Sequence, residues 1–527
     1  MSKIIGINYG SHDASICLVE DGMIKFALEE EKFTGLKAVY AGNIFPQKGL
    51  DLIQNKFGVN FENCDHIVFS SPVKRDYIRN MDFKVKEKVD IYSHHDCHAL
   101  GSYFTSGFDG KVLSLSHDGK GNRSRGKIFL CEDGQYEEYH SQHIPTTASL
   151  AGMWACATYY LGWQMLKDEG KVVGLAAHGK FSPKIYDYLK TCIRYDKLDF
   201  KPSNWESLFH YIFSHKHKDS VQNPEWRNDF AFTLQKYTEE IFEQFLTDLV
   251  IRFPDYKKLC LSGGLFANVK LNQHLNNLFL FDEIFIHPSM GDGGLSVGAA
   301  MIKAHEVGDI EKPTRLRNVF LGQEFDTHEW DQAIRDSGLD IKKEIFSYDK
   351  MPKLINEGNV IGCFFGKTEY GPRALGNRSI IVKPTDPETH EKLNQKLRRT
   401  EIMPFAPAVL KEYAHHIFDC NKSRYTAEFM TLCYNTKTDW INRIPAVVQM
   451  LDGSSRPQIV DMESNPNFHA IITSYFRYTG IPVVLNTSFN AHGEPINNYP
   501  SQVLKHLQSG AVDYIINEYY ILSINRP

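Results

Sequence analysis

Between Gly366 and Ser379 the chain sets Lys367, Arg373, Arg378 and the Ser379 hydroxyl among glycines, in a protein whose formal net charge is −5. Glycine lets a backbone turn tightly and bring its N–H groups close to a ligand, and arginine grips phosphate oxygens with two parallel N–H bonds. Together these residue types describe an anion cradle. A solvated, arginine-bearing turn has the same composition, because most charged side chains face water. The flanks favour the cradle: the apolar run Val360–Phe365 enters the loop directly and Ile380–Val382 leaves it, so core strands frame the turn.

A second chemistry lies in His94-His95-Asp96-Cys97-His98. In a helix running through Phe104, His94 and His98 fall one turn apart on one face, a spacing that chelates a single metal ion. Two imidazoles do not complete a site, and histidines four apart also occur as capped or half-buried pairs. The candidates for further ligands are Asp118, in the turn of a hairpin beginning at Val112, and Asp292, in the run Gly291–Ala300. Two histidines with one or two carboxylates suit Fe(II), Mn(II) or Zn(II) better than Mg(II), which prefers oxygen ligands throughout.

A third pattern is Leu259-Cys260-Leu261-Ser262-Gly263-Gly264, a strand ending in a glycine turn before a helix. Free backbone donors and a helix N-terminus there can face a phosphate or ribose, with Asn268 and Asn272 on one helical face. Gly291 and Gly294 repeat the logic, and the small residues that follow predict a helix packed tightly against its neighbours. Such turns are also ordinary scaffolding in α/β folds.

These residues need strands to carry them. Lys3–Asn8, then Ala14–Val19, then Met23–Leu28 read as apolar strands joined by a polar turn and an Asp-Gly turn, a β-meander; a similar unit begins at Val112. Two such units suggest a duplicated α/β fold enclosing a nucleotide. At 527 residues and 42 % hydrophobic composition, the chain is ordered and long enough for two to four domains at roughly 150 residues each. The sequence pI near 6.5 argues against a generally basic nucleic-acid-binding surface. Ten scattered cysteines without a C-x-x-C pair and an N-terminus lacking a leader pattern point to a reducing cytoplasm. No apolar run reaches the ~18 residues of a membrane span.

Eight motifs in order then carry a resemblance: Gly6-x-x-x-Gly10-x-His12-Asp13-Ala14-Ser15; His94-x-x-x-His98-Ala99; Asp118-Gly119-x-Gly121; Glu169-Gly170-Lys171-x-x-Gly174-Leu175-Ala176; Ser262-Gly263-Gly264-x-x-x-Asn268; Gly291-Asp292-x-Gly294; Gly371-Pro372-Arg373-Ala374-Leu375-Gly376-x-Arg378-Ser379; and Asn486-Thr487-Ser488-Phe489-Asn490-x-x-Gly493-Glu494-Pro495-Ile496. Over essentially its whole length the chain resembles the NodU/CmcH-type O-carbamoyltransferases, whose N-terminal domain is similar to the tRNA threonylcarbamoyl-transferring proteins of the actin-like superfamily. The resemblance implies a duplicated actin-like nucleotide-binding domain over residues 1–340 and a C-terminal α+β YrdC-like domain over 341–527.

It also implies a reaction. Carbamoyl phosphate and ATP, with Mg, give carbamoyl adenylate and pyrophosphate in the C-terminal domain; the carbamoyl group then passes to a hydroxyl of a small metabolite in the N-terminal domain, in the manner of antibiotic, toxin or nodulation-factor biosynthesis. On this reading Lys367, Arg373, Arg378 and Arg399, with Ser379, Asn486 and Ser488, hold the phosphates. His94, His98, Asp118 and Asp292 hold the metal, with Fe(II) the first choice and Mn or Zn alternatives, while Gly263, Gly264, Asn268, Asn272, Gly291 and Gly294 line the adenosine. His12 is the candidate general base, since an attacking alcohol must lose a proton and histidine titrates near neutrality. Lys171 is expected on carbamoyl or phosphate oxygens, oriented by Glu169, or else in an ordinary ion pair.

One position departs from the family. Where it shows Arg-Glu-x-Phe-Arg-Pro-Phe-Ala-Pro, this chain has Arg399-Thr400-Glu401-Ile402-Met403-Pro404-Phe405-Ala406-Pro407, so Met403 replaces the second arginine. A charge-assisted contact of ~1.5–3 kcal/mol is lost unless Arg398 substitutes. The segment Asp199–Asn228, with mixed charge and aromatics, reads either as an insertion shaping the acceptor pocket or as a solvated excursion. Transfer to tRNA, and a metal-dependent nucleotide-binding hydrolase, are the alternatives; the first expects a basic groove, the second makes Arg373 and Arg378 dispensable. No nucleic-acid or membrane partner is expected, and a homodimer is the usual state of soluble enzymes.

Overall fold

The computed structural model describes residues 2–37, 44–73, 75–143, 149–202, 223–399 and 402–525. The chain divides into two compact units, one of Met1–Glu30 with Ala38–Leu316 and one of Glu31–Lys37 with Arg317–Pro527.

The first unit is built on two five-stranded sheets. One holds β1 (Lys3–Asn8), β2 (Ser15–Glu20), β3 (Met23–Glu29), β4 (His66–Ser70) and β5 (Val89–Tyr92), in the order β3-β2-β1-β4-β5. The other holds β6 (Lys111–Gly121), β7 (Ser124–Glu132), β8 (Gln135–His143), β9 (Lys258–Ser262) and β10 (Glu283–Ile286), in the order β8-β7-β6-β9-β10. In each, the first three strands form an antiparallel meander and the last two add in parallel on the far side of the first. The duplication expected from the two meanders is thus present strand for strand.

Strand β1 buries every residue except Lys3, and its Ile4, Ile5 and Ile7 supply the β-branched packing of a sheet covered on both faces. The cover includes α1 (His94–Ser106), after β5, and α5 (Leu295–Glu306), after β10; α2 (Glu169–Ala176), α3 (Pro224–Arg252) and α4 (Val269–Asn277) lie between them in the chain. Except for Asp96, α1 is buried along its whole length, so it has no polar stripe. It crosses α5 glycine on glycine: a Cβ at Gly101 would stand 2.7 Å from Gly298 Cα, and one at Gly298 would collide with the Cys97 carbonyl. The close packing predicted for the small residues after Gly294 is this crossing.

The second unit carries a mixed eight-stranded sheet of β11 (Ile341–Ile345), β12 (Ile361–Phe364), β13 (Arg378–Val382), β14 (Ala406–Leu410), β15 (Gln458–Val460), β16 (Val483–Ser488), β17 (Tyr514–Ile516) and β18 (Tyr520–Ile524), ordered β11-β18-β17-β12-β13-β16-β14-β15. The predicted strands flanking the glycine and arginine loop are β12 and β13, paired antiparallel. Helix α6 (Thr327–Ser337), opened by an Asp326–Glu329 capping box, belongs to this unit because Trp330 is fully buried edge-on to Phe364, with ring centroids 4.9 Å apart.

Within Asp199–Asn228, residues 203–222 lie outside the described residues. Their flanks are a short strand, Asp199–Pro202, and the start of α3, which Asn223 caps by accepting from the N–H groups of Glu225 and Trp226. All ten cysteines are unpaired. Among the described residues no helix is long and apolar enough to cross a membrane.

Candidate metal centre and anion-binding loop

Five segments following strands of the first unit converge. The turn after β1 brings His12 and Asp13, α1 brings His94 and His98, the distal part of β6 brings Asp118, β9 leads to Gly263 and Gly264, and the turn before α5 brings Asp292. In open α/β sheets the carboxyl ends of strands are where ligands collect.

His94, His98, Asp118 and Asp292 are all buried, and one ligand atom from each falls within 4.8 Å of all the others. His94 Nε2 lies 3.0 Å from Asp118 Oδ2 and 3.6 Å from Asp292 Oδ1; His98 Nε2 lies 3.8 and 3.5 Å from the same two oxygens. The ligand set therefore draws on both halves of the duplicated unit. His98 Nε2 and Asp292 Oδ1 are buried with no hydrogen-bond partner, although such atoms normally find one. Around the cluster, His98 Nδ1 meets Ser262 Oγ at 3.2 Å and Asp118 Oδ1 accepts the Gly264 N–H at 2.8 Å, contacts that fix the direction of the groups. Two imidazoles and two carboxylates aimed at a common point, with orphaned buried atoms, fit a divalent transition ion.

The electrostatics agree. Burial alone would depress the His98 imidazole, but the nearby carboxylates of Asp118 and Asp292 raise it to about 9. Burial would raise the two carboxyls, yet His94 and His98 hold Asp118 well below the usual range, and His12 and His94 lead in lowering Asp292. The cluster is negative enough to retain protons on imidazole, as a cation site is when no cation neutralises it. His95, between the two ligands, is not part of it: Nε2 bonds the Ser124 carbonyl at 2.9 Å and Nδ1 the Ser116 hydroxyl at 3.2 Å.

His12 is half-buried, with Nδ1 2.9 Å from Asp13 Oδ2 and Nε2 3.6 Å from Asp292 Oδ2. Burial lowers its pKa, but Asp292 and Asp13 outweigh that and raise it well above the ordinary value. Lys171 is buried and paired with Asp168, Nζ to Oδ1 3.0 Å, rather than with Glu169. Glu169 accepts the Leu166 N–H at 2.6 Å; burial leads in raising its carboxyl, and nearby His12 lowers it.

The Ser-Gly-Gly turn differs from expectation in detail. Its donors are not free: the Gly263 N–H goes to the Met290 carbonyl at 2.7 Å and that of Gly264 to Asp118, so the turn positions a ligand. A 3₁₀ turn, Gly264–Ala267, separates strand from helix. Asn268 caps α4 and donates to Gln235 Oε1 at 2.8 Å, while Asn272 donates to the Phe266 carbonyl at 2.8 Å. At Gly294 a Cβ would strike the Ser289 carbonyl, whereas Gly291 has open space beside it.

In the second unit the glycine and arginine loop fills its own cradle. Glu369, fully buried, accepts through Oε1 from the N–H groups of Leu375, Asn377 and Arg378 at 2.9, 3.0 and 3.0 Å, and Ser379 Oγ accepts from Gly376 N–H at 2.8 Å. The donors expected to face phosphate are held by a carboxylate of the chain itself. Arg378 is fully buried: it donates to the carbonyls of Phe365, Asn377, Gln323 and Gly366 at 2.6–3.2 Å and stacks 3.5 Å over the Phe364 ring. Through these bonds it clamps the loop, and its Nε is left without a hydrogen-bond partner. Lys32, also buried, donates to the carbonyls of Glu369 and Gly371 at 2.6 and 2.8 Å.

Arg399 likewise turns inward, donating to Thr487 Oγ1 and to the carbonyls of Ser488 and Asn490 at 2.7–2.8 Å. Asn486 donates to Gln458 Oε1 at 2.8 Å and to the Ala374 carbonyl at 3.2 Å, tying β16 to the loop. Ser488 pairs in register with Ser379. Of the sequence-predicted residues, Arg378, Arg399 and Asn486 are buried and bonded to neighbouring chain, and Arg373 and Lys367 are half-buried. Lys367 Nζ has no hydrogen-bond or ion-pair partner among the described residues. Met403 contributes its carbonyl, 3.1 Å from His390 Nε2, and Arg398 is exposed. Glu369 and Lys32 escaped sequence reasoning, the first because a lone acid in a basic loop carries no signal, the second because its partners are over 300 residues away.

Comparisons with known proteins assign both units. A family model described as the carbamoyltransferase N-terminus matches residues 3–80 and 73–301, and one described as the carbamoyltransferase C-terminus matches 352–523. The uncharacterized protein MJ1058 of Methanocaldococcus jannaschii is 30% identical over 461 residues, covering 83% of this chain and 74% of its own length. The nodulation protein NolNO of Sinorhizobium fredii is 27% identical over 534 residues, covering 92% and 75%. Nodulation protein U of the same species is 24% identical over 559 residues, covering 93% and 94%.

Proposed function

Because the chain belongs to the carbamoyltransferase family and is accordingly a transferase, we propose that it is an ATP-dependent O-carbamoyltransferase working through carbamoyl adenylate. In the second unit, read as YrdC-like, carbamoyl phosphate, water and MgATP yield carbamoyl adenylate, pyrophosphate and phosphate. In the first unit, read as actin-like, the hydroxyl of a small metabolite takes the carbamoyl group and AMP leaves. The observation that carries the reading is the convergence of His94, His98, Asp118 and Asp292 on one buried point.

When bound there, a divalent transition ion supplies Lewis-acid polarisation of a phosphoryl oxygen. His12 is assigned the acceptor's proton, a role open to it when a bound cation offsets the Asp292 charge that raises its imidazole. Asp13 holds its Nδ1, which leaves Nε2, on the side of Asp292, as the basic atom. The acceptor oxygen bonds to the carbamoyl carbon as the bond from that carbon to the adenylate oxygen breaks, and the departing proton passes to His12 Nε2. In the second unit, Lys367 and Arg373 are the cations assigned to the phosphates, on a wall stiffened by Arg378, Arg399 and Asn486.

The test is product analysis with labelled ATP. AMP and pyrophosphate are expected only when carbamoyl phosphate is present; ATP cleavage at the same rate without it would overturn the adenylate reading. Screening hydroxylated antibiotic, sugar and lipo-oligosaccharide precursors with labelled carbamoyl phosphate then identifies the acceptor.

A further inference from the structure

Asn8, the last residue of β1, is 1 % exposed and lies outside every role assigned so far. Its Nδ2 points at three backbone carbonyls, those of His12 at 3.3 Å, Asp13 at 3.0 Å and Asp292 at 2.9 Å. Its Oδ1 receives the hydroxyls of Ser11 at 3.0 Å and Ser70 at 2.9 Å. This surrounding fixes the amide's orientation, because carbonyl oxygens cannot donate and only the NH₂ can face them. Asp13, whose carbonyl it holds, has φ +59, a left-handed conformation that a non-glycine residue keeps only when its neighbours enforce it.

The two sides of the site meet in this one side chain. The turn carrying His12 follows β1 in the first half, and Asp292 follows β10 in the second, 284 residues from Asn8. We infer that Asn8 is the positioning residue that sets Asp292 as a metal ligand and holds His12 opposite it. The inference rests on the metal-centre reading above. Second-sphere partners of this kind change metal affinity 10- to 100-fold when removed, because the ligand must then be ordered at the expense of binding.

The test uses the full chain, stripped of metal and titrated with Mn(II) alone by calorimetry. Asn8→Ala is expected to weaken Mn(II) binding about 10- to 100-fold. Ser70→Ala, which removes one hydroxyl anchoring the Asn8 amide, should weaken it several-fold and serves in its place if Asn8→Ala does not fold. Ser106→Ala is the control: Ser106 is equally buried but its hydroxyl donates within α1, to the Tyr103 carbonyl at 2.7 Å, so Mn(II) affinity should stay at the parent value. Unchanged affinity in Asn8→Ala, or in Ser70→Ala where that variant stands in, overturns the inference while leaving the metal centre intact, and so does equal weakening in Ser106→Ala. A parent protein that takes up no Mn(II) overturns the metal reading and the inference with it.

Discussion

The two sites handle charge in opposite ways. In the first unit, His94 and Asp118 meet at 3.0 Å, the other facing atoms of the cluster stand 3.5–3.8 Å apart, and two of them have no hydrogen-bond partner. In the second, the buried Arg378 meets carbonyls at 2.6–3.2 Å and Glu369 satisfies three backbone amides. The more open set, four ligand atoms facing one point, is a place for a ligand, whereas the more closed set is chiefly scaffold, although Arg378 Nε, Glu369 Oε2 and Asn486 Oδ1 also have no hydrogen-bond partner. Substituting a member of an open set should remove ligand with little loss of fold, and substituting a member of a closed set should do the reverse.

The largest expected effect is at the open set. His94→Ala should abolish metal uptake and lower carbamoyl transfer by more than about 100-fold, with carbamoyl-phosphate-dependent pyrophosphate release by the other unit retained. Metal analysis beside the two activity assays checks this; full metal content in the variant would break the comparison. Next, Arg378→Ala should destabilise the second unit by about 3–5 kcal/mol, because several buried carbonyls lose their donor together. Pyrophosphate release would then fall in proportion to unfolded protein, and a well-folded but inactive variant would return Arg378 to the phosphates.

Acid should also divide the units. Burial holds His95 down to about 3, with His94 adding, His117 to about 3, with Arg125 adding, and His287 to about 4. All three stay neutral in the folded chain while the unfolded chain protonates below about 6.5. Their contribution is therefore complete above that pH and is lost as pH falls toward 4, on the order of 2 kcal/mol per histidine between pH 7 and 5. Hydrogen exchange should speed up in β6 and β7 over that interval more than in β13 and β16. Smaller again, Lys367→Ala should raise KM for one of the anionic substrates about 10- to 100-fold without moving the melting temperature, as expected for a cation whose partner is a ligand. Last, Glu369→Gln, which keeps the shape and removes the charge, should cost the second unit about 1 kcal/mol in denaturant titrations.

What could be read from sequence followed the range of the interactions. His94 and His98 were recognisable as a pair because four residues make one helical turn, and the paired meanders announced the duplication through alternating patterns and turn residues. The partnership of Asp118 with Asp292 was available only as a pair of candidates, since 173 intervening residues must fold before the two meet. That Arg378 and the Gly263-Gly264 turn donate to acceptors of the chain itself is illegible in sequence for a related reason. A residue's type states what it can bond, and not which acceptors the fold brings to it. Asn8 gave no signal, because an asparagine at the end of a strand is common and its chief partner comes from the other half of the unit.

The glycine crossing of α1 and α5 has a consequence for how such a site can diversify. Contact between Gly101 and Gly298 is made by backbone, so the interval between His98 and Asp292 is inherited from main-chain geometry and not from neighbouring side chains. Pocket walls can therefore be rewritten for a new acceptor while the spacing of the ligands is handed down unchanged.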